Sequence, residues 1–169
     1  DGHDHFGGGD VALDGFDGAS FSAALAVIAT GEARLRSGAD LTISTPALSG
    51  AAGSELQILA DGRSVTLATP AGAAPGPVVA PVGAALDVSA GRIVADTQLV
   101  YPAGRVRLAA DDGVELGANG LIDVSGRRLT LGGAPVDVAP PCRPVVAGPG
   151  GDGGEVAQSN SVRSCSWIP

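Results

Sequence analysis

The clearest regularity in the chain is a three-residue phrase: aliphatic, variable, aliphatic. It occurs at Leu41-Thr42-Ile43, Leu56-Gln57-Ile58, Val65-Thr66-Leu67 and Leu86-Asp87-Val88, and again at Val106-Arg107-Leu108, Val114-Glu115-Leu116 and Ile122-Asp123-Val124. The middle residue is mostly polar or charged. A period of two is the signature of a strand with one buried and one wet face. Each phrase predicts a strand of three to five residues, and nearly every one runs into Gly, Ala-Gly, Asp-Gly or Ser-Gly, which are turn signals.

The phrases recur. Leu41 and Val65 are 24 residues apart, Leu86 follows after 21, and Val106 after 20 more. Ala60-Asp61-Gly62 returns as Asp111-Asp112-Gly113, and Leu86-Asp87-Val88-Ser89 returns as Ile122-Asp123-Val124-Ser125. A drifting repeat of short strands and Gly turns reads as a solenoid. Ordinary hairpins use longer strands, of about five or six residues. Three strands fit within each repeat here, so a coil with three short parallel faces suits the pattern better than a meander. The expected fold is all-β: a right-handed parallel β-helix of about seven or eight coils, 20–24 residues each.

Composition then acquires a meaning. Gly and Ala make up a third of the 169 residues, while aromatic residues are 3%. Stacked coils repeat at about 4.8 Å, so their core is a set of columns that small aliphatic side chains fill. Glycine turns corners where φ is positive. Apolar content of 44% excludes a disordered acidic chain. A net charge of −8 and the absence of Lys argue against nucleic acid as a partner. No apolar run reaches the ~18 residues of a membrane span.

The repeat is not uniform. Residues 1–18 are expected to be a loose end or half-coil, 19–131 the coils, and 132–169 an irregular Pro/Gly/Cys-containing tail. A Pro-, Ala- and Gly-rich stretch at 69–82 cannot be an interior strand and is expected to bulge from one corner.

Residues 83–126 carry a family likeness. Leu86-Asp87-Val88-Ser89-Ala90-Gly91, Ala103-Gly104-Arg105-Val106-Arg107-Leu108 and Ile122-Asp123-Val124-Ser125-Gly126 resemble the haemagglutinin-type repeats of filamentous-haemagglutinin-like adhesins. These are large exoproteins of two-partner secretion. Residues 30–67 resemble the same repeats. The resemblance implies a secreted or surface-held Gram-negative fibre with no catalytic residue and no cofactor to carry over. Coil ends expose unpaired edges, so self-association through them is expected, and the resemblance implies a host-cell or cell-surface receptor or glycan as partner. The Asn-Pro-Asn motifs of the family's secretion domain do not occur here, so the expected piece is shaft, with the tail as cap or junction.

Candidate chemistry is sparse. Asp1, Gly2, His3, Asp4 and His5 could hold Cu(II) or Ni(II) through a free amine and the His3 ring; a solvated end is the simpler reading. Gly7-Gly8-Gly9-Asp10 with Asp14 and Asp17 resembles a calcium-binding turn that is not repeated. Asp111, Asp112, Glu115 and Asp123 are the carboxylates that a β-helical carbohydrate-active enzyme, a polysaccharide lyase or hydrolase, would need. Such a groove also wants aromatic platforms, and Tyr101 and Trp167 are the sole Tyr and Trp. The expectation is therefore no enzyme and no metal. A third reading is the stalk of a contact-dependent toxin. Arg92, Arg105 and Arg107 are expected to pair with Asp87 and Glu115 along the wall. Cys142 and Cys165 could form a disulfide closing the tail, with a loop-entropy gain of ~3 kcal/mol.

Overall fold

A computed structural model describes residues 3–73, 80–131, 134–138 and 145–147. It is all-β and winds as a parallel solenoid of about five turns. The first turn is β1 (His3–Phe6), β2 (Gly9–Leu13) and β3 (Gly18–Ser22). The second is β4 (Ala26–Ala29), β5 (Glu32–Ser37) and β6 (Asp40–Ser44). The third is β7 (Ala47–Gly50) and β8 (Glu55–Ala68). β9 (Ala85–Asp96) follows alone, then β10 (Gln98–Val100) with β11 (Arg105–Leu116), and β12 (Leu121–Asp123). β13 (Arg127–Leu131) and β14 (Ala134–Val138) form an antiparallel hairpin, after which β15 (Val145–Ala147) rejoins the stack beside β11.

Two walls result. Face A stacks β1, β4, β7, β10 and β12. Face B is bent into two arms. The first arm stacks β2, β5, β8, β9, β11 and β15, and the second carries β3, β6 and the later halves of β8, β9 and β11. The alternating phrases land in register. Val11, Leu35, Ile58, Val88 and Leu108 occupy one inward column. Ala19, Leu41, Val65, Ile93 and Val114 occupy another. The middle of these columns, from Leu35 to Leu108 and from Leu41 to Ile93, is fully buried. Burying such a side chain stabilises by roughly 1.5–3 kcal/mol, and each is held between like neighbours above and below.

Two expectations change. The turns number about five, not seven or eight, because among the described residues the 69–82 stretch adds no strand. The strands are also longer than the phrases: β8 has 14 residues and β9 and β11 have 12 each, since the backbone carries its ladder around the corner. Gly62, at φ +66°, makes that corner in β8. The corner of β9 is tighter. A Cβ on Gly91 would stand 2.9 Å from the carbonyl carbon of Gly62, so only glycine fits between the neighbouring turns. Residues 3–13 supply β1 and β2, where Val11 continues its column and Leu13 packs against the core, and β14 and β15 lie beyond residue 131.

The insertion leaves β8 at Thr69 and turns back at Ala73, whose N–H donates to the Pro70 carbonyl at 3.0 Å. It rejoins at Ala85, whose N–H donates to Ser54 O at 2.8 Å. Among the described residues no face A strand lies between β8 and β9, and β7 pairs directly with β10, two turns on. Leu48 thus stacks on Leu99. Among the described residues face A is one strand shorter than the first arm of face B.

The junction of β7 with β10 is stitched by hydroxyls. Thr45 Oγ1 donates to Ala47 O at 2.9 Å, Ser49 Oγ donates to Val100 O at 2.7 Å, and Thr97 Oγ1 donates to Thr45 O. All three residues are buried. Tyr101 fills the extra space beside Gly50 and is fully buried, so the bore is not purely aliphatic.

Candidate functional site

The chemistry of this fold lies on the outer wall of the first arm of face B. Alternation turns the middle residue of each phrase outward, and parallel stacking aligns those residues into columns. Asp10, Arg34, Gln57, Asp87 and Arg107 form one column. Glu32, Glu55, Ala85 and Arg105 form the next.

Their side chains bridge the turns. Arg34 Nε donates to Gln57 Oε1 at 3.0 Å, and Gln57 Nε2 donates to Glu55 Oε1 at 2.9 Å. Arg105 Nη2 stands 3.8 Å from the same Glu55 oxygen. Arg107 Nη1 donates to Asp87 Oδ2 at 3.3 Å, and on the second arm Arg92 Nη2 donates to Glu115 Oε2 at 2.9 Å. The expected Arg107–Asp87 and Arg92–Glu115 pairs are present. Arg105 instead reaches past a whole turn, because Ala85 between it and Glu55 is too short to block the path. That partner is 50 residues away in sequence, and only the insertion-shifted register reveals it. The guanidinium groups of Arg92, Arg105 and Arg107 are about half exposed, so each pair adds little stability.

At the N-terminal end of this wall a groove of about 450 Å³ is lined by Gly9, Asp10, Glu32, Ala33, Arg34, Glu55 and Gln57. It presents hydrogen-bonding groups in rows spaced at the rung repeat. Arg34, Gln57 and Glu55 are already tied to one another.

The remaining candidates are scattered. Asp111 and Asp112 lie at the bend of β11, exposed on face B. Asp123 lies on β12 in face A, where it accepts the Ser125 N–H at 2.9 Å and lies 3.5 Å from the Arg127 guanidinium. The fold therefore does not converge these carboxylates on one point, which glycoside cleavage requires. Asp10 opens the groove, while Asp14 and Asp17 lie between β2 and β3. Among the described residues no three His, Cys, Asp or Glu are grouped to hold a metal. Asp1 and Gly2 lie outside the described residues, as do Cys142 and Cys165. No helix among the described residues is long and apolar enough to cross a membrane.

One polar group escaped the sequence reading. The Tyr101 hydroxyl is buried without a hydrogen-bond partner among the described residues. Burial alone pushes its phenol far above its ordinary value. No sequence signal marks this, because Tyr101 is buried by the direct packing of β10 on β7. Comparison with known proteins adds no relative: no family model, no curated protein and no solved structure matches the chain.

Proposed function

We propose that this chain is a segment of the structural shaft of a large secreted or surface-displayed bacterial adhesin or exoprotein. The observation that carries the reading is the ladder itself. Parallel strands stack with like residues over like residues, so backbone hydrogen bonds run along the long axis and every turn contacts only its neighbours. Such a stack adds length at nearly constant cost per turn and holds other segments away from a surface. The outer wall is cross-braced by Arg–carboxylate pairs between turns, which keeps the shaft soluble. The haemagglutinin-type phrases at Leu86–Gly91 and Ile122–Gly126 support the same reading. In it, the shaft associates through its coil ends, and a receptor or glycan is met by segments the shaft displays.

Antibodies raised against this chain should label intact source bacteria or their culture fluid. External protease should remove the cell-bound signal without lysis. Labelling that appears only after the cells are permeabilised would overturn the proposal.

A further inference from the structure

We propose that Asn119-Gly120 is a site of spontaneous deamidation that Asp96 holds closed in the folded chain, so that conversion to aspartate or isoaspartate records opening of the corner between β11 and β12. The proposal does not depend on the shaft reading.

Asn119-Gly120 is the single Asn-Gly step of the chain. Glycine has no side chain to shield its amide nitrogen, so an asparagine before it is easily attacked by its own backbone. The fold requires that glycine: a Cβ at residue 120 would collide with the carbonyl oxygen of Ala95 in the preceding turn. Asn119 itself is exposed, so water and base reach its side chain.

The reaction needs water and nothing else. Solvent base removes the Gly120 amide proton, and that nitrogen attacks Asn119 Cγ. The Cγ–Nδ2 bond breaks, Nδ2 takes up a proton and leaves as ammonia, and a five-membered succinimide remains. Water then opens the ring. Cleavage between the Gly120 nitrogen and Cγ gives aspartate. Cleavage between the same nitrogen and the Asn119 backbone carbonyl carbon gives isoaspartate. No oxidant or reductant enters.

Three hydrogen bonds oppose ring closure. The Gly120 N–H donates to Gly117 O at 3.0 Å, which closes a turn and occupies the nucleophile. Ala118 and Asn119 both have negative φ, so the turn is type I and ψ of Asn119 is about 0°. The succinimide instead needs Cβ eclipsed with the Gly120 nitrogen, which demands a large rotation of ψ. Asp96, at the end of β9, blocks that rotation. The Asn119 backbone N–H donates to Asp96 Oδ1 at 2.7 Å, and Asn119 Nδ2 donates to Asp96 Oδ2 at 3.2 Å. One carboxylate therefore fixes both the backbone and the amide of Asn119. An ionised carboxylate only accepts, so the amide keeps its nitrogen toward Asp96. Bonds to a charged acceptor are also the stronger kind.

Deamidation is self-locking. It replaces the Nδ2 donor by a charged oxygen facing the Asp96 carboxylate, and the two repel. The clasp does not re-form, so converted chains accumulate with each local opening.

The test incubates the full chain, folded and in urea, at mildly alkaline pH and follows the tryptic peptide 108–127 by mass spectrometry. That peptide carries Asn119 as its single side-chain amide, so exchange of NH2 for OH reports this site alone. The unfolded chain should deamidate at least tenfold faster than folded wild type. Asp96→Ala, with its strand circular dichroism intact, should close most of that gap. Asp96→Asn keeps one acceptor oxygen and should fall between; it carries the test if Asp96→Ala does not fold. Leu86→Ala weakens the core without touching the clasp and should deamidate at the wild-type rate while it stays folded. Equal rates in folded and unfolded wild type, an inert unfolded chain, folded Asp96 variants no faster than wild type, or a folded Leu86→Ala as fast as Asp96→Ala would each overturn the proposal.

Discussion

Tyr101→Phe removes one oxygen atom from the most unusual point of the core. The ring is fully buried beside Gly50, and its hydroxyl has no hydrogen-bond partner among the described residues. In the unfolded chain water satisfies that hydroxyl. In the folded chain nothing does, and an orphaned buried donor costs about 1–3 kcal/mol. The phenylalanine ring keeps the packing and escapes the cost. The variant should be more stable by about 2 kcal/mol, which raises the melting temperature by about 4–8 °C for a domain of this size. The same hydroxyl supplies a second readout. Burial raises its folded pKa well above the ordinary value of 10.0, so its ionisation leaves stability unchanged below pH 10, and above that stability falls as pH rises toward the folded value, because only the unfolded chain readily loses the proton. Tyr101 is the single tyrosine of the chain, so phenolate absorbance near 295 nm reports this one group. Native protein should show no phenolate band at pH 10–11, and the band should appear only as strand circular dichroism is lost. The assay is thermal and urea unfolding of both proteins, with a spectrophotometric titration of the wild type. A less stable Tyr101→Phe variant, or a phenol that titrates near pH 10 while the fold persists, would refute the reasoning.

Three further substitutions separate core, corner and wall. Leu86→Ala empties a fully buried position in the middle of the Leu56, Leu86 and Val106 column and should cost about 2–5 kcal/mol in urea unfolding. Gly104→Ala should cost about 3 kcal/mol or prevent folding, because its Cβ would fall on the carbonyl oxygen of Ala84; thermal unfolding measures it. Arg105→Ala cuts the 3.8 Å pair with Glu55 on the exposed wall and should change stability by less than about 0.5 kcal/mol in the same assay.

Column structure was legible in the sequence because it depends on a local signal. Leu86-Asp87-Val88 states its own inward and outward positions, and the recurrence of that phrase states what stacks on what. The Arg107–Asp87 and Arg92–Glu115 pairs follow from the same alignment. What the phrases do not carry is the path between them. Asp61-Gly62 reads as a turn that ends one strand and starts another, yet the β8 ladder continues through it on either side, so two expected strands are one. The phrases also do not say that β7 and β10 pair directly with one another. The buried Thr45, Ser49 and Thr97 and the orphaned Tyr101 all follow from that pairing. Polar residues at those positions look like surface in the sequence because their burial is decided by that contact. Arg105 is the same case on the outside, where Ala85 opens the route to Glu55.

The shaft reading depends on parallel stacking of successive turns, including the direct contact of β7 with β10. Methyl-labelled nuclear Overhauser spectra of the full chain measure this directly. Parallel stacking predicts contacts linking Ile58 to Val88, Val88 to Leu108, and Leu48 to Leu99. A meander of antiparallel hairpins would instead link Ile58 to Val65 and Leu108 to Val114 and leave Leu48 and Leu99 apart, and that result would contradict the account.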